Sequence, residues 1–110
     1  MTAAQLEETI TGYYALMPTN TDRAWNLMTD AYKASHTSGR QGFERFWGSI
    51  DRVEVQNVTA TPPDRSEARL ISHFKDGRVV VERTSYELVD EGGTIKIADS
   101  SVLSSSTRSD

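Results

Sequence analysis

Two carboxylates and a tyrosine near the end of the chain are the side chains that could do acid–base chemistry. Glu82, Thr84 and Tyr86 alternate along one predicted strand, and Asp99 falls on the next. A carboxylate in an apolar pocket has a raised pKa, as a group that abstracts a proton requires. The other interpretation is structural, because carboxylates are almost never fully buried unless they are paired. We favour a structural network and commit to no catalytic residue, keeping Asp99 and Glu82 as the only candidates.

A predicted pair of antiparallel strands positions these residues. With a four-residue loop over 90–93, the register gives these pairs: Leu88 with Ile95, Tyr86 with Ile97, and Thr84 with Asp99. It sorts apolar side chains onto an inner face and pairs Glu87 with Lys96 outside, as a half-buried sheet requires. It also places Glu82 on the inner face, so the polar residues there line either a solvated cleft or a satisfied network.

The turn before these strands, at Asp76-Gly77, leaves two registers open. Asp-Gly between β-rich runs is a strong hairpin signal, because glycine adopts the positive φ that such a turn needs. A two-residue loop places His73 on the inner face, whereas a three-residue loop with a bulge places Phe74, Leu70 and Ala68 there. We favour the bulged form because it gives the more apolar inner face.

Three helices are predicted before the sheet. The first begins at Thr2, with Gln5 completing a capping box, and ends at Pro18. The second spans about 22–33, and the third spans about 41–49 with aromatic residues at helical spacing. A further strand over 53–60 shifts its alternation near Gln56-Asn57, which predicts a bulge, and Pro62-Pro63-Asp64 then turns the chain.

These elements predict an α+β domain in which three N-terminal helices pack on the concave face of a curved antiparallel sheet of about four strands. One domain spans 1–103, and the serine-rich segment 104–110 is predicted to be a disordered tail. Such a sheet leaves a pocket between its concave face and the helices. The residues predicted to line this pocket or to lie just beneath it are Tyr14, Trp25, Trp47, Thr84, Tyr86 and Asp99.

Composition excludes several classes of partner. The net charge is −4 and no basic cluster is present, so nucleic acid and anionic membrane surfaces are poor partners. The chain has no cysteine and only two histidines, far apart, so no metal site and no cofactor are predicted. No apolar run approaches a membrane span, and no signal peptide precedes the first helix. Direct membrane insertion of this chain is therefore not expected, and the protein is either cytoplasmic or part of a longer polypeptide.

Several segments together resemble a known superfamily. The final hairpin, Tyr86-Glu87-Leu88-Val89 followed by Gly93-Thr94-Ile95-Lys96-Ile97, is similar to the closing hairpin of the nuclear transport factor 2-like (polyketide-cyclase-like) superfamily, whose fold is cone-shaped and cystatin-like. The whole set resembles the small extracytoplasmic domains of actinobacterial serine/threonine protein kinases, through these further segments: Tyr13-Tyr14-Ala15-Leu16, Ala24-Trp25, Phe46-Trp47 and Asp76-Gly77-Arg78. The resemblance covers nearly the whole chain.

The resemblance implies a non-catalytic sensory or regulatory domain, outside the cytoplasm, that binds a small ligand or dimerises and so modulates an attached kinase. The alternative is a stand-alone pocket protein or an isomerase- or hydrolase-like enzyme of the same fold. Superfamily members that isomerise steroids or open epoxides use carboxylates and tyrosines in the concave pocket. By that resemblance Asp99 would be the base, Glu82 a second carboxylate and Tyr86 a hydrogen-bond donor, with Tyr14 or His73 on the opposite wall.

Two kinds of partner follow from these expectations. An aromatic pocket with a few polar groups suits a small apolar or amphipathic ligand. The outer sheet face is predicted to carry several apolar residues, which suggests a homodimer that packs sheet against sheet. Those residues are Val79, Val81, Ala98 and Val102. The other explanation for them is scattered surface valines, which are normal.

Overall fold

Four helices precede a four-stranded antiparallel sheet in the computed structural model, which describes residues 1–109. The helices are α1 (Ala3–Ala15), α2 (Thr21–Trp25), α3 (Asp30–His36) and α4 (Gly39–Gly48). The strands are β1 (Ile50–Thr61), β2 (Arg65–Phe74), β3 (Arg78–Glu91) and β4 (Thr94–Ser109), and they lie in the sheet in that order. The α+β architecture predicted from the sequence is confirmed, with the helices on one face of the sheet, called here the inner face.

Helix α1 begins and ends as its sequence predicts. The Thr2 hydroxyl accepts from the backbone N–H of Gln5, and the Gln5 side chain accepts from the backbone N–H of Thr2, which completes the capping box. Leu6, Ile10 and Tyr13 recur at helical spacing and are buried against the sheet. No helix within residues 1–109 has both the length and the apolar character needed to cross a membrane.

The predicted second helix, 22–33, is instead two short helices with an extended segment between them. The backbone N–H of Ile97 donates to the Leu27 carbonyl at 2.8 Å, and the N–H of Thr29 donates to the Ile97 carbonyl at 3.0 Å. Thr29 also caps α3 by accepting from the backbone N–H of Tyr32 at 3.1 Å. The helix breaks because the backbone of this segment is hydrogen-bonded to Ile97 of the sheet. This pairing buries Met28, which is 1% exposed. The domain therefore has four helices rather than three.

Helix α4 packs beside β1 and carries aromatic residues. It runs from Gly39 to Gly48, close to the predicted 41–49. Phe43 and Trp47 are buried, whereas Phe46 is 47% exposed and meets the ring of Phe74 edge-on, with 6.1 Å between the ring centroids. The helix predicted from the aromatic spacing is thus confirmed, and one of its aromatic residues, Phe46, remains at the surface.

The first two hairpins agree with the favoured sequence interpretation. A register shift between Gln56 and Thr59, with Asn57 at φ 51°, is the predicted bulge. The turn at Asp76-Gly77 has the three-residue form, since β2 ends at Phe74 and β3 begins at Arg78. His73 is accordingly paired with Val79 on the outer face, and the inner face of β2 carries Ala68, Leu70 and Phe74.

The predicted register between β3 and β4 is wrong. The connecting loop has two residues, Gly92 and Gly93, with φ of 62° and 94°, a backbone that only glycine adopts readily. The strand pairs that replace the predicted ones are Leu88 with Ile97, Tyr86 with Ser100, Thr84 with Val102 and Glu87 with Asp99. The pairing of Leu88 with Ile97 follows directly from the two-residue loop, and extra residues in β4 at Ala98 and Leu103 form bulges that shift the register farther along the strand. Asp99 is therefore not opposite Thr84 on the inner face.

The predicted disordered tail is also wrong for residues 104–109, which form the last part of β4. Strand β3 is 14 residues long, and its far edge offers backbone hydrogen bonds along its whole length. A serine-rich segment can pair there because the ladder uses backbone groups and needs no apolar side chains. Asp110, the last residue of the predicted tail, lies outside the described residues.

From the buried pair Leu88–Ile97 we predict where shortening a side chain destabilises the domain most. We expect Leu88→Ala to lower the free energy of unfolding by about 2–5 kcal/mol, because Leu88 is fully buried and the substitution leaves a cavity. Leu103→Ala is the matched control: Leu103 is 54% exposed, so its truncation should cost less than about 0.5 kcal/mol in dilute protein. Urea unfolding followed by circular dichroism measures both, and equal losses would contradict the assignment of Leu88 to the core.

Candidate functional site

All four tyrosines of the chain come together between the helices and the sheet. The hydroxyls of Tyr14 and Tyr86 are 2.5 Å apart and share a hydrogen bond. The rings of Tyr13 and Tyr14 meet edge-on at 4.9 Å between centroids, and the ring of Tyr86 lies 6.3 Å from that of Tyr14. The Tyr32 hydroxyl completes the group and bonds to Ser100 Oγ at 2.7 Å.

Each tyrosine is placed by a different local feature of the chain. Tyr13 and Tyr14 are consecutive on α1, so they diverge, and the Tyr13 hydroxyl reaches the Met28 sulfur at 3.9 Å while Tyr14 reaches the sheet. Tyr32 lies in the first turn of α3, where the Thr29 cap holds its backbone. Tyr86 stands on the inner face of β3 between two serines, Ser66 on β2 and Ser100 on β4.

Burial keeps these phenols neutral. It raises the pKa of Tyr13, Tyr14, Tyr32 and Tyr86 above the ordinary value for tyrosine, because the phenolate would be poorly solvated. Nearby phenols raise the pKa of Tyr13 and Tyr14 further, since a second negative charge in the cluster is unfavourable. The cluster therefore offers neutral hydroxyl groups and no charge at physiological pH.

A cavity of about 330 Å³ lies beside this cluster, between α1, α3 and α4. Most of its wall is aromatic or apolar, and the residues that form this part are Tyr13, Tyr14, Met28, Tyr32, Phe43, Phe46 and Trp47. Its polar end is formed by His36, Thr37 and Ser38. The volume is at the lower end of the range for small-molecule sites, and the wall holds no carboxylate. The arrangement suits a small ligand that is mainly apolar.

The structure brings together only part of the predicted pocket. Tyr14 and Trp47 line the cavity, and Tyr86 lies beneath Tyr14. Thr84 is buried on the same inner face of β3, two residues from Tyr86. Trp25 does not contribute to the cavity wall: its ring packs on Phe43, a wall residue, with 5.1 Å between centroids.

The two candidate carboxylates are far apart. Asp99 pairs with Glu87 in the sheet, and its side chain is 55% exposed. Glu82 is half-buried, which raises the pKa of its carboxyl, and it lies five residues from Glu87 along β3, roughly 16 Å away. The register change accounts for this separation, because it moves Asp99 off the inner face. His73, the other wall residue considered, lies on the outer face 2.7 Å from Glu54.

Asp99 instead fixes a histidine at the mouth of the cavity. His36 Nε2 lies 3.1 Å from Asp99 Oδ1, and its ring stacks on Tyr32 with 4.4 Å between centroids. His36 Nδ1 is 2.7 Å from Ser35 Oγ, so a serine, a histidine and an aspartate stand in a row. Ser35 is not an activated nucleophile, however, because its hydroxyl donates to the Ala31 carbonyl of its own helix at 3.0 Å. The row positions the His36 ring at the polar end of the cavity.

Sequence reasoning missed the residues that α3 contributes. Tyr32 lies in the predicted second helix and His36 in the connection after it, and neither was predicted to be a pocket residue. Both line the cavity, and His36 is exposed at its mouth. The available signal was the scarcity of tyrosine: four in the chain, two of them adjacent on one amphipathic helix. Within residues 1–109, no three His, Cys, Asp or Glu side chains are grouped so as to hold a metal ion.

Comparison with known proteins supports the fold. No protein-family model and no curated protein matches the chain. Among solved structures, the chain is similar to a crystal structure from Novosphingobium aromaticivorans DSM, provisionally described as an aromatic ring hydroxylase, with 18% identity and a TM-score of 0.57. The similarity covers 96% of this chain and 91% of that one. At this identity the likeness concerns the fold alone, and the architecture is consistent with the nuclear transport factor 2-like fold.

The neutral tyrosine cluster predicts an unusual alkaline titration. The folded chain should show less tyrosinate absorbance near pH 10 than the unfolded chain, because the pKa of every tyrosine is raised. Above about pH 10 the native state keeps phenolic protons that the unfolded chain releases. The contribution of the tyrosines to the free energy of unfolding is therefore fully present below about pH 10 and is lost as the pH rises further. Absorbance at 295 nm and circular dichroism should change together. If a quarter of the total absorbance change appeared near pH 10 while the protein was still folded, one of the four tyrosines would be exposed, and the prediction would be contradicted.

The Tyr14–Tyr86 hydrogen bond can be tested separately. Tyr14→Phe should lower the free energy of unfolding by about 1–3 kcal/mol, because the Tyr86 hydroxyl loses this buried partner. Tyr14→Phe with Tyr86→Phe should cost less than the sum of the single variants by about 1 kcal/mol, since neither hydroxyl is then left behind. Thr2→Ala, roughly 18 Å from Tyr14 along α1, is the control and should be additive with Tyr14→Phe. Additive losses for the two tyrosines would contradict a direct bond.

Proposed function

We propose that the chain is a small-ligand-binding domain, that its site is the cavity between α1, α3 and α4, and that it binds without catalysing a reaction. The observation that carries the proposal is a cavity wall that contains three neutral tyrosines, with the fourth beneath them, and no carboxylate. Catalysis by proton transfer needs a base within hydrogen-bond reach of the bound molecule. Glu82 lies on the sheet outside the cavity wall, and the carboxylate of Asp99 holds His36. His36 lines the cavity, but both of its ring nitrogens are engaged, Nε2 by Asp99 and Nδ1 by Ser35.

The lining indicates the ligand class. Aromatic rings and the Met28 thioether favour an apolar or aromatic body, because they offer large contact areas and no charge. His36, Thr37 and Ser38 at one end favour a ligand with a single polar group there. The provisional name of the structural neighbour suggests an aromatic substrate for that protein, and the same chemical class suits this cavity.

A regulatory role extends this proposal. The resemblance to kinase extracytoplasmic domains supports a sensor that passes ligand binding to an attached serine/threonine kinase. A domain whose site binds and does not react suits such a role. A stand-alone pocket protein with the same site is the alternative, and ligand binding is common to both.

The two tryptophans provide an internal control for ligand binding. In Trp25→Phe the remaining Trp47 lines the cavity, and in Trp47→Phe the remaining Trp25 lies outside the cavity wall. We expect 4-hydroxybiphenyl, corrected for its own absorbance, to change the fluorescence of Trp25→Phe saturably and to leave that of Trp47→Phe nearly unchanged. Biphenyl-4-carboxylate should bind more weakly, because its charge would be buried among neutral groups.

The titration has a clear negative outcome. A flat fluorescence response from Trp25→Phe, with 4-hydroxybiphenyl and with 2-naphthol, would contradict binding of aromatic alcohols in the cavity. An equal response in the two variants would place binding elsewhere on the domain. Calorimetry on the unmodified chain then separates absence of binding from binding that Trp47 does not report.

A further inference from the structure

The outer edge of β4 has no strand beside it in the described chain from Ser101 onward. The sheet ends with β4, and the only other backbone pairing on it is the bridge between Met28 and Ile97. Next to this stretch, Tyr32 and His36 contact the side chains of Ser100 and Asp99. The rest of the strand presents unpaired backbone groups, which are a template for another strand.

This edge lacks most of the features that protect edge strands. Residues 101–109 contain no proline and no lysine, and Arg108 is their only charged residue. The opposite edge, β1, carries Asp51, Arg52 and Glu54 and a bulge at Asn57, where φ is 51°. Both edges carry a bulge, that of β4 at Leu103, so the two edges differ mainly in charge, and the β4 edge is the less protected against pairing.

Exposed apolar side chains mark the centre of the free edge. Val102 and Leu103 are 56% and 54% exposed, more than any other large apolar side chain in residues 1–109. Small serine side chains follow them along the strand, so another backbone can approach closely. Burial of both apolar side chains would favour a partner centred on this point.

We propose that β4 pairs with β4 of a second copy of this chain, as antiparallel strands about a two-fold axis between Leu103 and Ser104. The axis places residues at equal distances on either side opposite each other: Val102 with Ser105, Ser101 with Ser106, Ser100 with Thr107, and Asp99 with Arg108. Val102 and Leu103 of both copies then lie around the axis. The two sheets become one sheet of eight strands.

Charge complementarity supports this register. Asp99 has a second carboxylate oxygen, Oδ2, that makes no contact within residues 1–109, and Arg108 is exposed and makes no ion pair there. Asp99 pairs with Glu87 and Arg108 pairs with Val79, so the two side chains lie on the outer face of the same sheet. Residues nine apart normally lie on opposite faces of a strand, and the extra residue at Leu103 brings these two to one face. Each Arg108 would thus meet Asp99 of the other copy.

The outer sheet face is less suited to a dimer than the sequence suggests. Val79 is already 3% exposed within the chain, and Val102 pairs with Thr84 on the inner face. Ion pairs cover much of the outer face, including Arg83 with Glu67 at 2.9 Å and His73 with Glu54 at 2.7 Å. Dimerisation through that face stays a prediction and is one of the outcomes that the experiment separates.

Charge exchange tests the pairing. In sedimentation velocity over a range of concentrations, we expect the unmodified chain to form a dimer. Asp99→Lys and Arg108→Glu should each raise the dimer dissociation constant about tenfold, because each places like charges together twice per dimer. The double variant Asp99→Lys/Arg108→Glu should restore it to within about threefold, since the pairs are only exchanged. A monomer at every concentration, or a dimer indifferent to these changes, would overturn the proposal.

Cysteine cross-linking fixes the register independently. The chain has no cysteine, and Val102 and Ser105 lie three residues apart on one strand, about 10 Å, too far for a disulfide within one copy. Val102→Cys/Ser105→Cys should therefore give a covalent dimer on mild oxidation, because the two positions are opposite across the axis. Val102→Cys alone is the matched control and should remain uncrosslinked. Failure of the double variant to cross-link, or equal cross-linking of the control, would contradict the register.

Discussion

Two backbone hydrogen bonds between Ile97 and the Leu27–Thr29 segment determine how the helices meet the sheet. They interrupt what would be one helix, bury Met28 and start α3 beside β4. Tyr32 and His36 reach the cavity only because α3 begins there. The same segment covers the first part of the β4 edge and leaves the remainder open. The position of the cavity and the extent of the free edge therefore follow from the same local pairing.

The cavity depends on polar groups that stay neutral in an apolar setting. A buried phenol costs little when it has a partner, and each of Tyr13, Tyr14, Tyr32 and Tyr86 has one. A carboxylate in the same place would need a counter-charge, and the described cavity wall supplies none apart from His36, which Asp99 already holds. The two candidate carboxylates lie outside this wall, so a ligand as proposed here would bring no charge of its own.

The sequence predicted those parts of the fold that local signals determine. The capping box at Thr2, the bulge near Asn57 and the three-residue turn at Asp76-Gly77 each follow from residues that are neighbours in the chain. The β3–β4 register could not be predicted in this way. A four-residue loop and the two-glycine loop both place the apolar residues on one face, and two bulges in β4 hide the true alternation. The break between α2 and α3 could not be predicted from helical spacing, since its cause is a hydrogen bond to Ile97, roughly seventy residues away. Of the predicted pocket residues, Tyr14 and Trp47 line the cavity and Tyr86 lies beneath Tyr14, whereas Trp25 is outside the wall and Asp99 is on the outer sheet face.

The cavity and the free edge share the His36–Asp99 contact. A second strand paired over 99–108 would bring an arginine to Asp99 while Asp99 still orients His36 at the mouth of the cavity. A ligand that repositions His36 would in turn alter the carboxylate that receives this arginine. Linkage requires such effects to be reciprocal, so any change in ligand affinity on pairing equals the change in pairing on ligand binding. The side chains of His36 and Asp99 are exposed enough for this coupling to depend on salt, whereas the apolar contacts at Val102 and Leu103 would not depend on it. Salt dependence therefore separates the contribution of Asp99 and its charged partners from that of the apolar contacts at Val102 and Leu103.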